Sequence, residues 1–231
     1  MNFYESTNFG LRVTMYDLTS TDFEFINIRL IPMVHIGEER YYKEVELSLM
    51  KSDVILYEGL KMKNFNLSVN NRILLAKRLG LVTQSKLNLK QFKNKLIHAD
   101  LDDQLSKEKW KELPIFDRFK SSIFIPIYVY FQDRTLTRRK FVKYFMKSNT
   151  DIDKVNGPMF DKKENLKTFY YREREKVLFE EIDKLLCDST KDSKLVSIVY
   201  GAGHMKSIFR YLNNKYGYRA IKGEFNVVFS T

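Results

Sequence analysis

The sequence predicts an α/β protein, a mixed β-sheet flanked by helices with a helical insertion in the middle of the chain. Short apolar, β-branched runs at 25–34, 53–58 and 195–200 have the length and composition of buried strands. The first and last of these lead into a His and then a helical pattern, an order that favours parallel strands with the helix as crossover. At 231 residues and 44% hydrophobic content the chain can bury one sizeable core, so a single domain over 1–231 is expected.

The first run ends at His35-Ile36-Gly37, and a helical stretch with Val45 and Leu49 four apart follows it. The second, from Asp53 to Glu58, is stopped by Gly59. Residues 66–165 read as mostly helical and basic, apart from a short strand near 79–83. Pro114, Pro126 and Asn156-Gly157-Pro158 punctuate this region, and the insertion is placed at approximately 84–165. A long helix over 164–186 leads to the strand at 195–200, and Gly201-Ala202-Gly203-His204 turns the chain into the next helix. Met205, Ile208, Phe209, Leu212 and Tyr216 form one apolar stripe on that helix. The closing segment, 218–229, alternates well enough for one strand or for a hairpin around Gly223. The intervals from His35 to Glu58 and from His204 to Glu224 are similar, which raises the question of an internal echo.

Composition removes several function classes. One cysteine, Cys187, excludes a disulfide framework and a Cys-ligated zinc site, fits a reducing compartment, and reads as core. The start of the chain lacks the basic and apolar pattern of a secretion signal, and the longest apolar run, 123–131, is too short to cross a bilayer. A cytoplasmic protein without a transmembrane segment is expected. Lys and Arg number 40 against 29 acidic residues, a formal charge of +11, which bears on solubility and non-specific binding rather than on fold. The run Arg134, Arg138, Arg139, Lys140, Lys143 and Lys147 could form a basic helix face in weak contact with anionic surfaces; no motif for sequence-specific nucleic-acid binding accompanies it.

Chemistry is expected where strands end. In an open α/β sheet, ligands bind beyond the carboxyl ends of the strands, where loops converge. His35, Glu58 and His204 each follow a predicted strand, so parallel neighbours would bring two imidazoles and a carboxylate to one edge. That set could ligate a divalent first-row ion, or act without metal, one His as general base. Gly201 and Gly203 permit a tight turn and close backbone approach before the helix. Arg174 projects within about 40° of Leu178 at 100° per residue, so the apolar stripe of its helix contains a guanidinium that needs a carboxylate or bound anion; Arg172 falls outside that stripe. His98 and Asp100 form a secondary candidate pair, with Asp102 and Asp103 reading as the start of a helix.

Ile31-Pro32-Met33-Val34-His35-Ile36-Gly37, Val54-Ile55-Leu56-Tyr57-Glu58-Gly59 and Gly201-Ala202-Gly203-His204 resemble the TraB/PrgY/GumN group. That group belongs to a superfamily with the Tiki proteases, the erythromycin esterases and the ChaN-like proteins. Leu79-Gly80-Leu81-Val82-Thr83-Gln84, His98-Ala99-Asp100 and Arg174-Glu175-Lys176-Val177-Leu178 are similar to its middle segment and its Arg-containing helix. The resemblance runs from about residue 24 to the end. It implies an α/β fold and a polar site of two His motifs, a Glu and an Arg. Tiki relatives are divalent-metal-dependent proteases (Mn²⁺ or Co²⁺), erythromycin esterases use a His-based hydrolytic site, and PrgY-like members reduce peptide pheromone activity by cleavage or sequestration. Carried over, His35 and His204 are ligand or base, Glu58 is ligand or base, and Arg174 clamps an anion or oxyanion. The expected function is that of a divalent-metal-dependent hydrolase acting on a peptide, or a protein that sequesters a peptide or small ligand in the same cleft. The first His departs from the group's Gly-x-x-His pattern, because Pro32, which has no amide hydrogen, stands at the Gly position.

Overall fold

A computed structural model of the chain describes residues 1–59, 66–115, 137–142, 168–187 and 193–231, with backbone only for 66–71 and 168–170. Its centre is a parallel sheet. Strands β3 (Ile26–Met33), β5 (Val54–Tyr57), β7 (Leu96–His98) and β8 (Lys194–Gly201) lie in the order β3-β8-β5-β7, each pair parallel. An antiparallel edge completes it: β1 (Tyr4–Thr7), β2 (Gly10–Thr19) and β9 (Arg219–Ser230). Strand β9 pairs along the whole of β2, while β1 and β3 share β2's other edge, β1 at residues 10–13 and β3 at 16–18. A separate two-stranded ladder joins β4 (Ile36–Gly37) to β6 (Val82–Thr83).

Alternation along the central strands sends side chains into two cores. Ile31, Met33, Ile55 and Val199 pack with Tyr41, Tyr42, Val45 and Leu49 of helix α1 (Glu39–Met50) and with Leu75 of helix α2 (Asn66–Arg78). Ile28, Leu30, Leu56, Ile198 and Tyr200 pack on the other face. There they meet Leu178, Ile182 and Leu186 of helix α4 (Arg174–Cys187), and Met205, Ile208 and Leu212 of helix α5 (Met205–Tyr216). Strands covered on both faces read as near-continuous apolar runs, which is why they are visible in the sequence. Helix α3 (Asp103–Glu112) starts where Asp102 accepts from the Leu105 amide at 2.7 Å, the cap that its acidic cluster suggests. Gly217 ends α5 in the left-handed conformation, φ +67°, with its amide and that of Tyr218 bonded back to Asn213 and Leu212.

Several expectations change. Residues 84–98 do not belong to a helical insertion: after two short 3₁₀ segments (Gln84–Lys86, Leu89–Lys95) the chain adds β7 to the main sheet. The closing segment is one strand, and it runs antiparallel to β2 at the opposite side of the sheet from β5. The second half of the sequence echo is therefore not a parallel unit, and Glu224 is a surface residue paired with Lys222. Cys187 is exposed rather than core, because the buried stripe of α4 is Arg174, Leu178, Ile182 and Leu186, and position 187 is one step beyond it. In the basic run, Arg138 turns inward and donates to the carbonyls of Leu79, Gly80 and Ser230 at 2.6, 2.9 and 2.9 Å. Arg134, Lys143 and Lys147, the apolar run 123–131 and the Asn156-Gly157-Pro158 loop lie outside the described residues. Among the described residues no helix is long and apolar enough to cross a membrane.

Candidate functional site

The parallel order β3-β8-β5-β7 puts four carboxyl ends side by side, and the candidate residues follow them directly: His35 after β3, the Gly201–His204 turn after β8, Glu58 after β5, His98 and Asp100 at the end of β7. The topology thus places His35, Glu58 and His204 after neighbouring parallel strands, on one edge of the sheet.

Glu58 sits at the middle. Its Oε1 accepts from Arg174 Nη2 at 2.5 Å and its Oε2 accepts from the Gly201 amide. A Cβ at Gly201 would stand 3.0 Å from Glu58 Oε2 and 3.5 Å from His204 Cδ2, so glycine lets backbone, carboxylate and ring meet. Gly203 lies in ordinary contact with Tyr171. Arg174 also grips Asp100 through two parallel bonds, Nε to Oδ1 at 2.9 Å and Nη2 to Oδ2 at 2.7 Å. Asp100, fully buried, takes the amides of Gly59 and Leu101 as well, at 3.0 and 2.8 Å. A buried guanidinium is tolerable only when neutralised this way. Two of its three nitrogens are spent on carboxylates, so Arg174 positions Glu58 and Asp100 rather than standing open as an anion clamp. His98 donates from Nε2 to the Gly59 carbonyl at 2.8 Å and packs edge-on to Tyr57, which makes it a support of the loop after Glu58.

The two central histidines are held differently. His204 is buried, its ring between Tyr171 (centroids 4.8 Å) and Tyr200 (5.2 Å, edge-on). Its Nδ1 lies 2.9 Å from Glu175 Oε1, and Ser207 donates to the other Glu175 oxygen at 2.7 Å. His35 is solvent-accessible, and its Nδ1 lies 2.9 Å from Gln84 Oε1. The β4–β6 ladder fixes that contact, since the Gln84 amide also bonds the His35 carbonyl at 2.9 Å. Tyr41 and Tyr42 reach up from α1 to the carbonyls of Pro32 and Val34, at 2.7 and 2.9 Å, tying down the segment before His35. Pro32 stands beyond the point where β2 pairs with β3, so its missing amide hydrogen breaks no bond to β2.

Electrostatics follow from these contacts. Burial pushes the Glu58 carboxyl up, but Arg174, the two histidines and the Gly201 amide outweigh it and hold the group below its ordinary range. Desolvation holds His35 below its ordinary value, Arg72 adds to that, and Glu58 opposes it. At neutral pH, Glu58 is therefore ionised and His35 neutral. Desolvation works against the Arg174 charge, and its Asp100 and Glu58 contacts more than restore it.

A carboxylate or an amide oxygen can only accept, so Nδ1 of each central ring carries the hydrogen and, in the neutral ring, Nε2 carries the lone pair. That is the tautomer a metal-bound imidazole adopts when its other nitrogen is held by an acceptor. The imidazoles therefore suit a divalent ion, and Glu58 retains a lone pair on each oxygen. Among the described residues, however, no three His, Cys, Asp or Glu side chains already stand as a metal-ligand group. Gln84 and Glu175 lie inside segments that the sequence picks out but are given no role there, and Ser207 is not picked out at all. The available signal for Glu175 is its place beside Arg174: successive helix positions point about 100° apart, so one residue can serve Glu58 while the next serves His204.

No protein-family model, curated protein or solved structure matches this chain. Fold and site define it as an α/β protein with His35, His204 and Glu58 at the carboxyl edge of its parallel strands, and with Asp100 and Glu175 bonded to Arg174 and His204 there.

Proposed function

We propose that the chain is a hydrolase that cleaves a peptide bond at this edge, in keeping with its resemblance to the TraB/PrgY/GumN group. One observation carries the proposal. Two imidazoles, each tied at Nδ1 to a side-chain acceptor, stand within electrostatic reach of an ionised Glu58.

His204 is the better-held base. Its Nε2 takes a proton from water as the oxygen attacks the carbonyl carbon, and Glu175, on Nδ1, stabilises the imidazolium that forms. The same proton then passes to the departing nitrogen as the C–N bond breaks, leaving a carboxylic acid and an amine. Arg174 fixes the Glu58 carboxylate beside the ring, and the Tyr171 and Tyr200 rings exclude bulk water from it. The tautomers of His35 and His204 favour a second possibility, a divalent ion of the Mn or Co class held by His35, His204 and Glu58. When bound, such an ion supplies a water of lowered pKa and polarises the carbonyl.

The experiment is turnover of a defined peptide pool, followed by mass spectrometry, by chelator-treated protein with and without Mn²⁺ or Co²⁺. Cleavage by the chelated protein supports His204 as base; cleavage only with the ion supports the metal site. For His204→Ala, a fall of about 10²–10⁴ in kcat/KM with folding intact is expected. Full activity in that variant overturns the proposal, and peptide binding without turnover points instead to sequestration.

A further inference from the structure

The β9 edge of the sheet carries a pattern that the proposed hydrolysis does not use. Strand β9 pairs on one side with β2; Glu38 and Arg138 bond its end at Val228 and Ser230, and among the described residues no strand pairs with the other side of residues 219–227. Its first seven residues are exposed, and Ile221, Phe225 and Val227 are 67%, 61% and 52% exposed. A long open edge with apolar side chains is a template for another strand, and a soluble protein normally blunts it or covers it.

The sequence along that edge is its own complement. Ile221-Lys222-Gly223-Glu224-Phe225, laid antiparallel on a second copy about a twofold axis through Gly223, sets Lys222 opposite the partner's Glu224 and Ile221 opposite the partner's Phe225. Opposite charges and apolar pairs directly across from one another are what stabilise an antiparallel ladder. Neighbouring registers fail: an axis at 222 opposes lysine to lysine, and an axis at 224 opposes glutamate to glutamate. Lys222 and Glu224 are already paired at 2.5 Å within the chain and both are more than half exposed, so they present an ordered row of charges. Two such rows would interlock as four alternating signs. The β9–β2 register skips Ile221, between Ala220 opposite Leu18 and Lys222 opposite Asp17. That bulge keeps the shared ladder short.

We propose that β9 is a homodimer interface, joining two copies of this chain edge to edge about Gly223 in a twofold, self-complementary contact. The short ladder makes the association concentration-dependent. Its centre at Gly223 lies away from Val228, the β9 residue whose carbonyl accepts from the Glu38 amide just past His35.

Sedimentation velocity over a broad dilution series of the full chain tests this. The wild type is expected to shift from monomer to dimer as concentration rises. K222E or E224K alone places like charges opposite each other at two symmetry-related points and should raise the dimer dissociation constant at least about tenfold. The double variant K222E/E224K restores the complement and should recover most of the dimer. Thermal unfolding of each variant confirms that the fold survives. A wild type that stays monomeric throughout overturns the proposal. So does a dimer indifferent to both single reversals, a double variant no better than either single one, or open-ended assembly in place of a dimer.

Discussion

His204 and His35 occupy matching places, each just past a parallel strand and before a helix, and they differ in what surrounds them. His204 is walled in by Tyr171 and Tyr200 and bonded to a carboxylate that is itself held by Ser207. His35 is accessible and bonded to a neutral amide on a short two-stranded ladder. The same placement thus yields one buried ring locked in orientation against a carboxylate, and one accessible ring kept neutral. A pair built this way suits division of labour, in which the buried ring handles the proton and the accessible ring meets substrate or ion.

The largest effect is expected from removing the guanidinium that neutralises Glu58 and Asp100 beside the two rings. Arg174→Met leaves Glu58 and Asp100 as buried carboxylates without a counter-charge, and should cost about 3–5 kcal/mol in urea unfolding. A loss below about 1 kcal/mol would mean the carboxylates find other partners. Next comes the difference between the two orienting bonds. Glu175→Gln should lower kcat/KM by about 10–100-fold, because a neutral amide no longer stabilises the imidazolium. Gln84→Ala should lower it only a few-fold, the worth of one accessible hydrogen bond. Equal effects would erase the distinction between the rings.

The smallest effect is in pH. The folded-state pKa of His35 lies below its ordinary 6.5, so the unfolded chain binds more protons as pH falls below that value. Its share of stability is complete above pH 6.5 and declines as pH falls toward the folded value. His35→Gln should flatten the pH dependence of unfolding midpoints in this window and leave the region near pH 8 unchanged. Glu58, also depressed, acts lower down: its contribution is present above pH 4.5 and is lost as pH drops beneath it. A His35→Gln profile as steep as wild type between pH 7 and 5 would assign the slope to other groups.

The buried strands and the site's main members were legible because burial on both faces writes continuous apolar runs, and because ligands favour strand ends. Other parts left weaker traces. Leu11, Val13 and Met15 of β2 do alternate toward the core, but they sit among polar residues near the start of the chain. Strand β7 has three residues inside a basic, helix-like stretch, too few to set a period. The pairing of β9 could not be read at all, since alternation shows which faces a strand has but not its neighbour or direction. The partners of the histidines were hidden for a related reason. Gln84 and Glu175 are ordinary surface-type residues until the β4–β6 ladder and the start of α4 bring them against a ring.

Strand β8 lies between β3 and β5, which do not touch each other. On a ribosome, therefore, the first two parallel strands emerge long before the one that must separate them. Their inward edges lack this partner until residues 194–201 have appeared. Pairings so distant along the chain form slowly, and the interval before β8 arrives is when the nascent protein is most exposed to mispairing.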